Sequence, residues 1–341
     1  MATPRVSARL PLYDPSKSSL AYGDRAIPKL NRELNSSDLR VRQQALLLLC
    51  DVLHLRENLA TALGEGIASS LQALLSDGDG VVRERSAQAL TIIAQHSLGR
   101  QTFLQLDTLT ALSKLFSDVE YEVRYNAHCA VEMASRIKNG AQGTVAADLI
   151  PLCVEKLVQE DSEQLKEVIM DTLHWCFQVN TAQGINVKTI IIATDLLGHS
   201  NCNIRGRAAR LLYDLTVPLV GKEEGCGCGC VPILVGLLED KDMFVRAQAA
   251  AALMSISVIT KGKYCLLKSG ALPKLVALLT DPCSEARLNS IKALTLLAET
   301  PVGKAQLQSS RQQLEERVAS DDSEMVVKAA QTALKVITWT P

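Results

Sequence analysis

The chain has 341 residues, of which 47% are hydrophobic and only 4% aromatic, and its formal net charge at pH 7 is −1. A core of aliphatic side chains favours helices, because Leu and Ala have high helix propensities. The near-neutral charge, without a basic block, argues against a nucleic-acid partner, and no apolar run is long enough to span a membrane. The first residues lack the apolar run of a secretory signal, so we expect the ten cysteines to be reduced thiols in an intracellular protein.

In chain order, the first predicted element is an extended N-terminal arm over residues 1–24. It is rich in Pro and Ser, contains Tyr13 and Tyr22, and lacks the periodicity that follows it. This composition favours a disordered tail, and an arm that becomes ordered against a partner is the alternative.

From residue 25 to residue 338, one pattern recurs with a period of about 41 residues, which predicts a repeat array. Its reference position, here called the anchor, is basic in seven copies and Val in the eighth. The approximate units are 25–58, 59–99, 100–140, 141–183, 184–221, 222–262, 263–303 and 304–338. The anchors are Arg42, Arg83, Arg124, Lys166, Arg205, Arg246, Arg287 and Val327.

Other positions of the pattern predict a short, a middle and a long helix in each unit. Positions +3 and +7 from the anchor are small or apolar and share one helical face, so we expect them in the core. Position −6 is mostly Asp, which predicts the N-cap of the long helix. Position +16 is Gly in five copies, which predicts a left-handed helix end. Prolines before the anchors predict the start of the middle helix, at Pro28, Pro151, Pro232 and Pro273.

Residues 269–299 resemble the armadillo consensus, which implies an all-α solenoid of armadillo or HEAT type, wound as a right-handed superhelix of about eight repeats. Further segments resemble the radial spoke head 14 homologues, a family of armadillo-repeat proteins of ciliary and flagellar axonemes. The resemblance implies a structural scaffold in the cytoplasm, cytoskeleton and axoneme, with other radial spoke proteins as partners. The segments are AYGDRAIPKL (21–30), VRQQALLLLCDVLH (41–54), HSLGRQTFL (96–104), SVITKGKYCLLKSGALPKL (257–275) and ARLNSIKALTLLAETPVGKAQLQ (286–308).

The armadillo resemblance also implies that the side of each long helix opposite the core lines a concave groove. We call the positions +2, +5 and +9 on this side the groove face. We predict that its polar residues contact an extended or helical segment of a partner, and a solvated surface is the alternative. The predicted contact residues are Arg85, Asn126, Arg207, Arg210, Gln248, Asn289 and Lys292.

Catenin-like and importin-like armadillo proteins clamp peptides with Asn at +9, and importins add Trp at +5. This sequence has neither residue in those positions, which argues against that kind of clamp. A soluble armadillo adaptor or transport factor that captures partner peptides in the cytoplasm is the alternative function.

Cys226, Cys228 and Cys230 are the candidate metal ligands. Three thiols suit a soft metal, but their spacing lacks the CxxC pairs of zinc sites. The alternating glycines favour a flexible loop with free thiols, and a metal site is the alternative. No motif of a catalytic metal, a nucleophile or a phosphate-binding loop appears in the sequence, so we expect no enzyme activity, no cofactor and no small-molecule substrate.

Overall fold

The computed structural model describes residues 26–339, so the predicted arm over residues 1–24 lies outside the described residues. Within this range the chain is an all-α solenoid of 23 α-helices without a strand. It divides into two compact units, the first ending at Gly143 and the second beginning at Thr144. None of the described helices combines the length and the apolar composition needed to cross a lipid bilayer.

Three kinds of helix alternate along the described residues, as the repeat pattern predicts. The long helices are α2 (Leu39–Val52), α5 (Gly80–Ala94), α8 (Tyr121–Ser135), α11 (Glu163–Phe177), α14 (Cys202–Leu215), α17 (Met243–Ile256), α20 (Ser284–Leu297) and α23 (Glu324–Thr338). The middle helices are α1 (Ala26–Leu34), α4 (Ile67–Leu74), α7 (Thr108–Ser113), α10 (Leu149–Gln159), α13 (Thr189–Leu196), α16 (Cys230–Leu237), α19 (Ala271–Ala277) and α22 (Arg311–Ser320). The short helices are α3 (Arg56–Gly64), α6 (Ser97–Gln105), α9 (Lys138–Ala146), α12 (Thr181–Asn186), α15 (Leu219–Gly227), α18 (Thr260–Lys268) and α21 (Pro301–Leu307).

The core follows the +3 and +7 positions of the long helices. In the first unit α5 packs against α2 and α8, and in the second unit α11, α14, α17, α20 and α23 pack each against the next. Every +3 residue is fully buried, and so is every +7 residue except Leu334, which is half-buried. The buried +7 residues are Leu49, Leu90, Val131, Leu173, Leu212, Leu253 and Leu294.

The residues at −6 do not cap the long helices, so that prediction was wrong. The N-cap lies two residues later, as at Asp79 of α5 and Asp242 of α17. Each −6 side chain instead accepts a hydrogen bond from the backbone N–H group two residues later, and this bond closes the turn before the helix. Both arrangements place a hydrogen-bond acceptor just before a helix, so composition alone did not separate them.

The aspartates at −6 have a second contact, with the anchor arginine of the preceding repeat. The same arginine donates to two backbone carbonyls just before its own long helix, as Arg246 does to the carbonyls of Asp240 and Lys241. Each rung therefore fixes one turn and joins two repeats. We call the following pairs the arginine–aspartate ladder: Arg42–Asp77 and Arg83–Asp118 in the first unit, and Arg205–Asp240, Arg246–Asp281 and Arg287–Asp321 in the second.

The glycines at +16 have a different role from the predicted one. They lie inside the short helices rather than at left-handed helix ends. A Cβ atom there would lie within 2.2 Å of the backbone carbonyl oxygen six residues earlier, so only glycine lets the short helix approach the long one so closely. Left-handed residues instead precede the middle helices, at Gly66, Asp107, Asp148, Lys188, Gly229 and Gly270.

The proline prediction is confirmed in position. Pro28, Pro151, Pro232 and Pro273 are each the third residue of a middle helix. In this first turn the missing N–H leaves no hydrogen bond of the helix unmade.

Candidate protein-binding face

In the first unit, the two predicted contact residues lie half-buried on the groove face and bond within their own helices. Arg85 donates from Nη1 to Gln88 Oε1 at 2.7 Å. Asn126 donates from Nδ2 to the backbone carbonyl of Glu122 at 2.9 Å. Neither contact reaches another helix, so both side chains remain at the surface of this unit.

In the second unit, Arg207 and Arg210 of α14 form ion pairs with α11. Arg207 donates to both carboxylate oxygens of Asp171, at 3.0 and 3.2 Å, and its Nη1 lies 3.2 Å from Glu167. Arg210 also binds Asp171. We call these four residues the α11–α14 charge cluster. Two guanidinium groups face two carboxylates here, so the positive charge seen in the sequence is compensated within the unit.

Asp214, at +9 of the same helix, is buried beside the charge cluster. Its carboxylate lies 2.6 Å from His174 Nδ1 and accepts a hydrogen bond from Gln178 Nε2 at 2.8 Å. Burial raises the pKa of Asp214, and the contact with His174 offsets only part of that effect. The sequence pattern placed Asp214 on the groove face but gave no sign of its partner, because His174 lies one repeat earlier.

Gln248 and Asn289 are buried between neighbouring long helices rather than presented at the surface. Gln248 donates to Glu285 at 3.1 Å, and Asn289 donates to the backbone carbonyl of Ala247 at 3.2 Å. Lys292, by contrast, is exposed. Of the predicted contact residues in the second unit, Lys292 is therefore the most accessible to a partner.

Lys292 stands at the rim of an apolar cavity of about 450 Å³. The cavity lies on the groove face between α17, α20 and α23, and Met325 in its wall is 58% exposed. The sequence did not predict this cavity, because only polar side chains of the groove face were expected to form contacts. Most of the lining is apolar and lies at +1, +8 and −2 as well as on the groove face. The lining residues are Met254, Leu288, Lys292, Thr295, Leu296, Met325, Lys328, Ala329 and Thr332.

The cysteine-rich segment is mostly helical, so the prediction of a flexible loop was wrong. Cys226 lies in α15, Cys228 caps the C-terminus of that helix, and Cys230 begins α16. The short helix packs against α16, α17 and α18, and this packing overrides the low helix propensity of glycine. All ten cysteines are free thiols. Among residues 26–339, no three Cys, His, Asp or Glu side chains are placed to hold a metal ion.

Comparison with known proteins agrees with the helical repeat architecture. A sequence model described as HEAT repeat matches residues 230–259, which include α16 and α17. The crystal structure of an engineered protein from the Northeast Structural Genomics Consortium superposes with a TM-score of 0.69. It is 20% identical in sequence, and the match covers 93% of this chain and 89% of that one. At this identity the likeness establishes the fold alone, and repeat folds of this kind are typically scaffolds that bind proteins.

Proposed function

We propose that this chain is a structural scaffold that binds other proteins through its groove face, as a subunit of the axonemal radial spoke in motile cilia and flagella. The apolar cavity between α17, α20 and α23 is the observation that carries the binding role. The radial spoke assignment is supported by the five sequence segments that resemble that family.

The lining of the cavity indicates what kind of segment it accepts. Met254 and Met325 are flexible and polarizable, so they adapt to partner side chains of different shapes. A volume of about 450 Å³ accommodates a few aliphatic side chains, such as those along one face of a helix. The exposed ammonium group of Lys292 at the rim favours a carboxylate next to them. The proposed ligand is therefore an amphipathic segment with apolar residues beside an Asp or Glu.

The α11–α14 charge cluster is a weaker candidate for the first contact. A partner carboxylate that approached Arg207 or Arg210 would compete with Asp171, which is already bound to both arginines. Such a partner gains one ion pair and loses another, so the net gain in free energy is small. Binding by these arginines stays a prediction, and it now requires an exchange of ion pairs.

The test uses the tagged full-length chain expressed in cells with motile cilia. Immunofluorescence should place the wild-type protein along the axoneme, and it should stay with axonemes after the membrane is removed by detergent. A diffuse or nuclear signal would refute the radial spoke assignment and favour the adaptor alternative.

Two variants then test the cavity itself. Leu296→Glu places a charge in the apolar lining, and Lys292→Glu reverses the charge at the rim of the cavity. We expect each variant to weaken binding to axonemes by at least about tenfold, which corresponds to a loss of roughly 1.4 kcal/mol in binding free energy. Val258→Glu is the matched control, because Val258 is 50% exposed and lies outside the cavity. Circular dichroism confirms that each variant is folded. Retention of folded Leu296→Glu at the level of Val258→Glu would contradict binding at the cavity.

A further inference from the structure

The sulfur atoms of two cysteines at the junction of α15 and α16 lie close to the same backbone carbonyl oxygen. Cys230 Sγ lies 3.2 Å from the carbonyl oxygen of Gly225, and Cys228 Sγ lies 3.6 Å from the same oxygen. Cys228 Sγ is also 3.5 Å from the hydroxyl oxygen of Thr194 on α13. The side chains of Cys228 and Cys230 are also hydrogen-bonded to each other, in a polar site built by three helices.

The backbone between the two cysteines explains why they meet. Gly229 has a φ of +84°, a left-handed conformation that glycine adopts without strain, and it turns the chain directly from α15 into α16. Cys228 then lies just before the first turn of α16, where the free backbone N–H groups favour a negative charge.

These surroundings shift the pKa values of the two thiols in opposite directions. The hydrogen bond from the Cys230 thiol, helped by the Thr194 hydroxyl and backbone N–H groups, outweighs burial and lowers the pKa of Cys228 to about 6. The same hydrogen bond, together with burial, raises the pKa of Cys230. At neutral pH, Cys228 is therefore the thiolate and Cys230 keeps its proton.

Cys228 and Cys230 also differ in their exposure to solvent. Cys228 is partly exposed, so a small reagent can reach its sulfur, whereas Cys230 is fully buried. An accessible thiolate next to a protected thiol is the arrangement of an attacking and a resolving cysteine.

We propose that Cys228 and Cys230 are a reactive dithiol that is oxidised to a disulfide by hydroperoxides. The Cys228 thiolate attacks one peroxide oxygen, the O–O bond breaks, and Cys228 becomes a sulfenic acid while hydroxide or an alkoxide leaves. The sulfur of Cys230 then attacks the sulfenic sulfur, the S–S bond forms, the S–O bond breaks, and water leaves with the proton of Cys230. The two thiols lose two electrons in total, and the peroxide gains them.

A second pair of thiols in the same unit provides an internal comparison. Cys226 is hydrogen-bonded to Cys265 of α18, but burial and this neighbour raise the pKa of Cys226 to about 11. This pair therefore offers no thiolate through Cys226 at neutral pH, and we expect it to stay reduced under the conditions that oxidise Cys228.

The first experiment treats the full-length reduced chain with hydrogen peroxide at pH 7 and maps the products by mass spectrometry. The expected product is a disulfide between Cys228 and Cys230, with Cys226 and Cys265 still alkylated as free thiols. A Cys226–Cys265 disulfide formed first, or random oxidation of all partly exposed cysteines, would overturn the proposal.

Two substitutions of Cys230 separate its two roles. Cys230→Ser keeps a hydroxyl that donates to Cys228 but cannot form the disulfide, so a sulfenic acid should accumulate at Cys228 and react with dimedone. Cys230→Ala removes both roles, so the alkylation of Cys228 by iodoacetamide should shift to higher pH. In the wild type at pH 6, Cys228 should react about tenfold faster than N-acetylcysteine amide, after allowance for the lower nucleophilicity of an acidic thiol. Equal rates in a chain shown to be folded by circular dichroism would contradict the proposal.

Discussion

In the second unit, the ends of the long helices carry contacts that recur from repeat to repeat, whereas the contacts in their middles each occur once. The recurring contacts are the ladder pairs and the glycines that approach a backbone carbonyl, and the ladder aspartates are at most 8% exposed. The single contacts are the α11–α14 charge cluster, where Asp171 is 25% exposed, and the apolar cavity. Contacts of the first kind hold any neighbouring repeats together, and those of the second kind distinguish one repeat from another and are suited to recognition.

The largest effect is expected where the ladder is most buried. Asp321→Ala leaves the guanidinium of Arg287, whose side chain is 7% exposed, without its buried partner. We expect a loss of about 3 kcal/mol in the free energy of unfolding, because the carboxylate that still pairs with Arg287, that of Asp322, is 84% exposed and compensates a buried charge poorly.

Urea denaturation of Asp321→Ala and Asp322→Ala measures this difference. Asp322 also binds Arg287, but its side chain is 84% exposed, so its removal should cost less than about 0.5 kcal/mol. Equal losses in the two variants would show that burial of the ladder does not matter for stability.

A smaller effect is expected at the other end of the long helices. In Gly262→Ala, the new Cβ would lie 1.9 Å from the carbonyl oxygen of Ile256, so the short helix must move away, at a cost of about 2 kcal/mol. Gly236→Ala is the control, because a Cβ there meets no atom within 4 Å and the residue lies inside α16. That control should gain up to about 1 kcal/mol from higher helix propensity. If Gly262→Ala leaves the midpoint of thermal unfolding unchanged, the close approach at this glycine does not contribute to stability.

The smallest expected effect is on the pH dependence of stability, and it has opposite signs for Asp321 in the ladder and for Asp214 beside the charge cluster. Burial alone raises the pKa of Asp321, but the hydrogen bonds from Arg287 and the Ser323 N–H outweigh it and lower the pKa below its usual value. The ionised carboxylate of Asp321 therefore stabilises the fold above about pH 4, the unfolded-state value, and this stability is lost as pH falls through the folded pKa. The pKa of Asp214 is raised, so its protonation stabilises the fold as pH falls towards about 4.

Unfolding free energies of Asp321→Asn and Asp214→Asn between about pH 3 and pH 7 test these signs. Asp321→Asn should flatten the loss of stability on the acid side, and Asp214→Asn should remove the gain that accompanies protonation above about pH 4. A flatter loss of stability on the acid side in both variants would mean that Asp214 acts as a ladder aspartate does.

The sequence predicted those features that depend on the periodicity within one helix. Burial at +3 and +7 follows from the angle between successive side chains, and it appears at Ala249 and Leu253 as at their equivalents. The three-helix unit and the place of the prolines follow from local backbone preferences. The polar residues of the groove face were predicted to contact a partner, which requires them to be accessible. Gln248 shows why accessibility needs the structure, since it is buried against Glu285 of the next repeat.

The remaining features depend on distances between segments that sequence spacing does not give. The close approach at Gly262 depends on how tightly the next short helix packs, and the conformation of Cys226 depends on packing against α16, α17 and α18. The apolar cavity exists because side chains from three helices leave a space among Met254, Leu296 and Met325. No pattern within a single repeat indicates such a space.

The arginine–aspartate ladder also gives the repeats a direction. Arg246 holds the turn of its own repeat and the aspartate of the following one, whereas Asp240 reaches back to the preceding repeat through Arg205. A repeat that unfolds locally withdraws a guanidinium from one neighbour and a carboxylate from the other, and only the first neighbour is left with an uncompensated buried acid. Local unfolding should therefore weaken the following repeat through a lost donor and the preceding one through a lost acceptor, so that cooperativity along the second unit is asymmetric.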